Sequence, residues 1–226
     1  MEEVLRCFDA FDATTRKEDQ RDWVNVSRAM WEPIAVGRRF YLVPDWRSDA
    51  PPAGRFSLRI NPGRAFGSGR HESTQLCLEA LERHVRPCAT VLDVGAGTGI
   101  LSAAAMLLGA GLIAACDIDP EALAVARERL AGRFEAVHLF LGSAGAVRSE
   151  SSDVIVANIN AGGVIMLAAE FWRCLRPGGM LVASGFERHE APDVCKALAH
   201  LRYGPVEETC KGEWTLLEAQ KSNPRE

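Results

Sequence analysis

The chain has 226 residues, a formal net charge of −4 and 25% charged residues. A mildly acidic chain with scattered charges is not suited to coat nucleic acid or an anionic membrane, because both bind through clustered basic residues. The apolar share of 47% excludes wholesale disorder and allows one large domain. We therefore expect a globular protein with no direct nucleic-acid partner and no membrane partner.

Seven cysteines occur, and no two have the Cys-x-x-Cys spacing that is typical of zinc sites and redox dithiols. Their odd number and apolar surroundings predict free thiols in a reducing compartment, the cytoplasm, and no metal site. The N-terminus is acidic and shows no apolar core of a signal peptide. The uncharged stretch 94–116 is long enough to span a bilayer, but its five glycines favour buried strands, a loop and a helix.

The sequence pattern of residues 1–60 predicts a short N-terminal segment of helix and strand. Residues 1–20 carry a weak helical pattern, whereas 39–43 and 56–60 are strand-like. The sequence pattern of residues 61–226 predicts a second, larger domain. Its predicted strands are 90–93, 112–116, 137–141, 153–157, 180–184 and 214–219, and its predicted helices are 73–85, 100–108, 120–131, 161–175 and 192–201. This alternation predicts an α/β domain with a mostly parallel, doubly wound sheet, which binds ligands at the C-terminal ends of its strands.

The first strand of this domain ends at Asp93 and leads into a loop with Gly95, Gly97 and Gly99 at alternate positions. Glycines allow a tight turn and let a ligand touch the backbone, and the start of the next helix offers free N–H groups. A dinucleotide-binding loop needs glycine or alanine where this chain has Ile100, so NAD and FAD are disfavoured. An acid before the loop suits a ligand with a positively charged amino group. A plain tight turn is the alternative.

Polar residues also end two later strands. Asp117 comes 22 residues after Gly95, near the spacing at which an acid accepts ribose hydroxyls. Asn158 follows the strand 153–157, and its side-chain amide offers both a donor and an acceptor to an incoming amine. Asp119 and Asn160 fit instead the N-caps of the helices that follow them.

The segment 65–74 lies just before the helix that precedes the first strand of the domain. It combines Phe66, two glycines, His71 and the hydroxyl residues Ser73 and Thr74. Such a mixture is typical of a loop that covers a ligand. Taken alone, however, a histidine such as His71 is more often structural than catalytic, and Thr74 fits an early helix position.

Together these motifs resemble the Rossmann-type (class I) S-adenosylmethionine-dependent methyltransferases, and within them the PrmA-type family, which methylates amino groups of a large-subunit ribosomal protein. The family pattern is Phe-Gly-Thr-Gly-x-His-x-Thr-Thr, then Asp-x-Gly-x-Gly-x-Gly, Asp-Ile-Asp-Pro and Ala-Asn-Ile. The matching segments of this chain are 66–74, 93–99, 117–120 and 157–159, with 37–40 and the Gly-Glu-Trp at 212–214 as further matches.

The resemblance implies an α/β fold that is Rossmann-like and doubly wound, with a mostly parallel seven-stranded sheet and flanking helices. It implies S-adenosyl-L-methionine as the cofactor and N-methylation of a protein substrate, with a ribosomal protein as one option. It implies catalytic roles for Asn158, Phe66 and His71. The implied cofactor contacts are Thr74, Asp93, Gly95, Gly97, Gly99, Asp117, Ser143 and Asn158.

The chain departs from the family pattern at several points. Ser68 replaces a threonine, and Arg70 stands where threonine is common. Only 22 residues precede Trp23, so we expect the family's separate N-terminal substrate-binding domain to be absent. The alternatives are a methyltransferase for a small-molecule amine, a non-catalytic cofactor-binding module and, disfavoured by Ile100, an NAD-linked oxidoreductase. The methyl acceptor and the oligomeric state are left open.

Overall fold

The structure of the chain is a computed structural model that describes residues 31–61, 70–131 and 136–222. The predicted helical pattern at 1–20 and the predicted site residue Phe66 lie outside these ranges. In the ranges described, no helix combines the length and the apolar composition that a bilayer crossing requires.

Three short strands form a small sheet at the start of the described chain. They are β1 (Ile34–Val36), β2 (Phe40–Pro44) and β3 (Phe56–Ile60). β2 pairs antiparallel with β1 and parallel with β3. The β1–β2 turn contains Gly37 at φ +54°, and the Glu82 carboxylate accepts the backbone N–H groups of Arg38 and Arg39 at 2.9 and 2.8 Å. This carboxylate therefore anchors the small sheet to the helix that contains Glu82.

The described residues from Pro33 onward belong to one compact unit. The small sheet thus belongs to the same unit as the described residues that follow it, and the predicted division at residue 60 stays a prediction about domain organisation.

A seven-stranded sheet forms the centre of the described chain. Its strands are β4 (Thr90–Val94), β5 (Leu112–Asp117), β6 (Val137–Leu141), β7 (Ser152–Asn158), β8 (Leu175–Glu187), β9 (Tyr203–Lys211) and β10 (Trp214–Lys221). Their order is β6-β5-β4-β7-β8-β10-β9. β10 runs antiparallel to β8 and β9, whereas the other neighbouring pairs are parallel. The order reverses between β4 and β7, which is where such sheets bind ligands.

Helices cover the large sheet. They are α1 (Glu72–His84), α2 (Ile100–Leu107), α3 (Pro120–Leu130), α4 (Ala161–Cys174) and α5 (Ala191–Ala199). The caps predicted for α3 and α4 are confirmed, because Asp119 accepts the Glu121 N–H and Asn160 accepts the Gly163 N–H, both at 2.8 Å. These caps direct the chain into each helix immediately after the C-terminal ends of β5 and β7.

Strand β9 is the main element that the sequence analysis did not predict. It is an edge strand that pairs with β10 alone in the described sheet, and most of its residues are exposed or half-buried. An edge strand that faces solvent needs no apolar run. Polar residues such as Glu207 and Glu208 therefore gave no strand pattern in the sequence. β8 is also longer than its predicted span of 180–184, since pairing begins directly after α4 at Leu175.

Candidate active site

A cavity of about 1130 Å³ opens at the C-terminal ends of β4, β5 and β7. Its size suits a cofactor-sized ligand. Six of the predicted site residues line it: Thr74, Gly95, Gly97, Asp117, Ser143 and Asn158. The predicted residues Asp93, Gly99 and His71 are absent from the described lining. The cavity thus lies at the predicted strand ends, whereas the binding and catalytic roles of these residues stay predictions.

The glycine loop takes a backbone conformation that other residues rarely adopt. Gly95, Gly97 and Gly99 have φ values of +74°, +53° and +74°. Gly95 also packs so closely on Ile159 that a Cβ would overlap the Ile159 Cγ2. Gly99 serves another purpose, because a Cβ there would lie 3.2 Å from the Cβ of Ala126 on α3. Glycine is therefore needed at Gly95 for the cavity wall and at Gly99 for helix packing.

Asp117 ties the end of β5 to the glycine loop. Its Oδ2 accepts the Gly97 N–H at 2.9 Å, and its Oδ1 accepts the Asp119 N–H at 3.0 Å. A carboxylate has about four acceptor positions, so each oxygen keeps capacity for another donor. Asp117 can therefore bind two hydroxyl groups without losing its backbone partners.

Asn158 lies at the end of β7 and reaches the first turn of α1. Its Nδ2 donates to the Thr74 hydroxyl at 3.2 Å, and Thr74 is fully buried. The Asn158 Oδ1 is also buried, and it has no hydrogen-bond partner among the described residues. Because an unpaired buried acceptor costs roughly 1–3 kcal/mol, a ligand N–H that reaches this oxygen is favoured.

Asp93 lies behind the glycine loop rather than in the described cavity lining. Its side chain is fully buried, and its Oδ2 accepts the Ser102 hydroxyl at 2.6 Å. Burial raises the pKa of the Asp93 carboxyl to about 6, although the hydrogen bond from Ser102 opposes this shift. Asp93 therefore joins the end of β4 to α2 in the interior of the domain.

His71 is the N-cap of α1. Its Nδ1 accepts the Ser73 N–H and lies 2.8 Å from the Ser73 hydroxyl. Its ring meets the Trp214 ring edge-on, with the centroids 4.2 Å apart. This arrangement gives the imidazole a structural task at the start of the helix that carries Thr74.

The cavity also has features that the sequence analysis missed. Ile118 and Met166 line it and are 81% and 80% exposed, so they offer apolar contacts at its mouth. Ile118 directly follows Asp117 at the end of a strand, and this position in the sequence could have indicated that Ile118 lines the cavity. Ser143 lines the cavity as predicted, and its buried hydroxyl has no partner among the described residues.

Carboxylates are the charged groups of the described lining. They are Asp117, Asp119 and Glu121, and no lysine or arginine occurs in that part of the lining. The cavity therefore favours a cationic ligand. The part of the chain that the structure describes contains no cluster of ligating side chains for a metal ion.

Residues 2–222 match the family described as ribosomal protein L11 methyltransferase (PrmA). A relative of that name from Pelotomaculum thermopropionicum is 38% identical over 212 residues, which is 92% of this chain and 68% of that protein. Another from Dechloromonas aromatica is 43% identical over 175 residues, which is 77% of this chain and 58% of that protein. The chain thus spans 58% to 68% of the length of these two relatives.

Solved structures agree with these relationships. A ribosomal protein L11 methylase from Lactobacillus delbrueckii subsp. bulgaricus matches with a TM-score of 0.77 and 30% identity, over 85% of this chain and 99% of that chain. A SAM-dependent O-methyltransferase from Thermotoga maritima has a TM-score of 0.58 at 16% identity, over 66% of each chain, and shows the fold alone. The predicted class I methyltransferase fold and the family identified from the motifs are confirmed. The chain belongs to the ribosomal protein L11 methyltransferase (PrmA) family.

Proposed function

We propose that this chain transfers a methyl group from S-adenosyl-L-methionine to an amino group of a protein. The observation that carries the proposal is the meeting of three elements in one cavity: the glycine loop at Gly95, the carboxylate of Asp117 and the Thr74–Asn158 pair. The acidic lining supports a cofactor that carries a sulfonium and an ammonium group.

The residues present fit this cofactor at several points. Asp117 would hold the ribose hydroxyls, because both of its oxygens keep acceptor capacity. Ser143 offers a hydroxyl that has no partner among the described residues, and Ile118 offers an apolar surface to the adenine. The backbone at Gly95 and Gly97 would approach the amino acid part closely, since no side chain intervenes.

Bound S-adenosylmethionine supplies a methyl group on a sulfonium, which makes the thioether a good leaving group. The task of the protein is then to hold a neutral amine in line with the methyl group, and such positioning is a large part of catalysis. The Asn158 Oδ1 can accept an N–H of the amine and so direct its lone pair. A lysine side chain must first lose a proton, because its ordinary pKa is about 10.4. The resemblance implies a catalytic role for His71, but its capping contacts support a structural role.

A protein acceptor is the part of the proposal that rests on the relatives, which are called ribosomal protein L11 methyltransferases. To test it, the chain is incubated with S-adenosylmethionine labelled at the methyl group and with purified large-subunit ribosomal proteins. We expect label in one protein, and mass spectrometry should place it on an amino group. The Asn158→Ala variant is the matched control and should label the same protein more slowly.

Two outcomes would contradict the proposal. Cofactor binding in calorimetry without any labelled protein would favour a small-molecule amine or a binding module. Label on oxygen or carbon rather than nitrogen would refute the assigned role of Asn158.

A further inference from the structure

A bulge interrupts the pairing of β8 with β10 beside the candidate active site. Phe186 pairs with Thr215, and Ser184 pairs with Leu216, so Gly185 is the extra residue between them. Gly185 has φ +96°, a conformation that side-chain-bearing residues rarely adopt. The bulge lies where β8 runs next to the end of β7, since Ser184 also pairs with Asn158.

Gly185 lets the backbone of β8 approach the segment Asn158–Ile159 very closely. A Cβ at Gly185 would lie 2.6 Å from the Ile159 carbonyl oxygen, 2.8 Å from the Ile159 nitrogen and 2.9 Å from the Asn158 Oδ1. Two of these atoms belong to the backbone, which cannot move aside as a flexible side chain does. The bulge therefore supports the end of β7 at Asn158, which lines the cavity.

Trp214 begins β10 next to the bulge and supports the Asn158 amide through α1. Its ring meets the ring of His71, which caps α1. The first turn of that helix contains Thr74, whose hydroxyl accepts the Asn158 amide. The neighbouring Lys211 adds a second tie, because its Nζ donates to the Gln75 Oε1 at 2.7 Å. The tip of the β9–β10 hairpin thus holds the start of α1.

We propose that Gly185 and Trp214 are positioning residues for methyl transfer. Gly185 holds Asn158 from the side of the sheet, and Trp214 holds Thr74 through His71. Together they set the direction of the amide, although neither lines the described cavity. The inference rests on the proposed function and assigns a role to the Gly-Glu-Trp motif at 212–214 and to the glycine of β8.

The first test compares Gly185→Ala with a matched glycine variant. Gly109 has φ +95°, but a Cβ there would lie 3.6 Å or more from its nearest neighbours, which is ordinary contact. Gly109→Ala therefore reproduces the backbone strain without the overlap. We expect Gly185→Ala to lower kcat by at least ~10-fold while the cofactor Kd changes less than ~3-fold, and Gly109→Ala to keep kcat. Equal kcat losses in both variants would overturn the assignment.

The second test asks whether Gly185 acts through Asn158. In the Asn158→Ala background, Gly185→Ala should cause little further loss of kcat, because the group that it positions is gone. The proposal would be overturned if the kcat loss of the double variant equalled the product of the losses in the two single variants. This test needs measurable methyl transfer by the unaltered chain, so an inactive parent protein refutes the proposed function instead of the positioning role.

A third comparison remains decisive if Gly185→Ala does not fold. Trp214→Phe keeps an aromatic edge for His71, whereas Trp214→Leu does not. We expect Trp214→Phe to retain kcat within ~3-fold and Trp214→Leu to lose ~10-fold, with the cofactor Kd unchanged in both. Equal kcat values for the two variants would overturn the role of Trp214.

Discussion

The side-chain amide of Asn158 donates a hydrogen bond to the Thr74 hydroxyl at 3.2 Å, although the two residues are 84 positions apart in the chain. The contact joins the end of β7 to the first turn of α1. It occupies the amide nitrogen of Asn158, and the buried carbonyl oxygen has no partner among the described residues. The pair therefore fixes the Asn158 side chain at the edge of the sheet where Asn158, the glycine loop and Asp117 line the cavity.

Asp117→Ala and Asn158→Ala should fail in different ways. Loss of the carboxylate removes the acceptor for ribose hydroxyls, so the cofactor Kd should rise ~10–100-fold. Loss of the amide should mainly lower kcat, because it removes the group that orients the amine. Calorimetry with the cofactor and a methyl-transfer assay separate the two effects. Glu121→Ala, which removes an exposed carboxylate of the same cavity, is the control for general charge effects.

Thr74→Val should lower kcat, whereas Thr74→Ser should retain it. Valine has nearly the shape of threonine, but it leaves the Asn158 amide nitrogen without its partner. We expect a ~3–10-fold loss of kcat for Thr74→Val from the loss of one hydrogen bond. Steady-state kinetics with the identified acceptor provide the measurement. Equal activity of both variants would show that the pair does not orient the amide.

Gly95→Ala should abolish cofactor binding, and Ile159→Ala should partly restore it. The added Cβ overlaps the Ile159 Cγ2, and the second substitution removes that methyl group. The strain at φ +74° remains in the double variant and costs roughly 1–2 kcal/mol. Calorimetric titration of the unaltered chain, the two single variants and the double variant measures the coupling between the two substitutions in cofactor binding. Gly54→Ala, at φ +79° and with no atom within 4 Å of the Cβ, is the control for strain alone.

Asp93→Asn should stabilise the protein increasingly as the pH rises. Burial raises the folded-state pKa of Asp93 from 3.8 to about 6, so the folded protein binds this proton more tightly than the unfolded chain. The stabilisation is full below pH 3.8 and is lost as the pH rises through about 6. The unfolding free energy of Asp93→Asn relative to the unaltered chain should therefore gain roughly 2 kcal/mol between pH 4 and pH 7.5.

Urea unfolding at several pH values provides this measurement. Ser102→Ala provides a second measurement. The hydrogen bond from Ser102 lowers the Asp93 pKa, so its loss should move the pH dependence of the unfolding free energy to higher pH. A stability difference that stays constant between pH 4 and pH 7.5 would contradict the buried, protonated carboxyl.

Features with local signals were predictable from the sequence. The alternation of apolar runs predicted the α/β fold and six of the seven strands of the large sheet. Asp119 before Pro120 and Asn160 before a helical pattern predicted the two caps that the structure confirms. The glycine loop, Asp117 and Asn158 could be placed because each directly follows a buried strand, and the strand order then brings them to one edge.

The rest depended on contacts between distant parts of the chain. The sequence by itself determined which residues end the strands and begin the helices, because propensity and capping act over a few positions. Only the tertiary structure decided that Thr74 meets Asn158, that Gly185 forms a bulge against Ile159, and that Asp93 is fully buried. Those relations follow from the order and register of strands far apart in the chain, and a register shift of one residue would turn each side chain to the other face of the sheet.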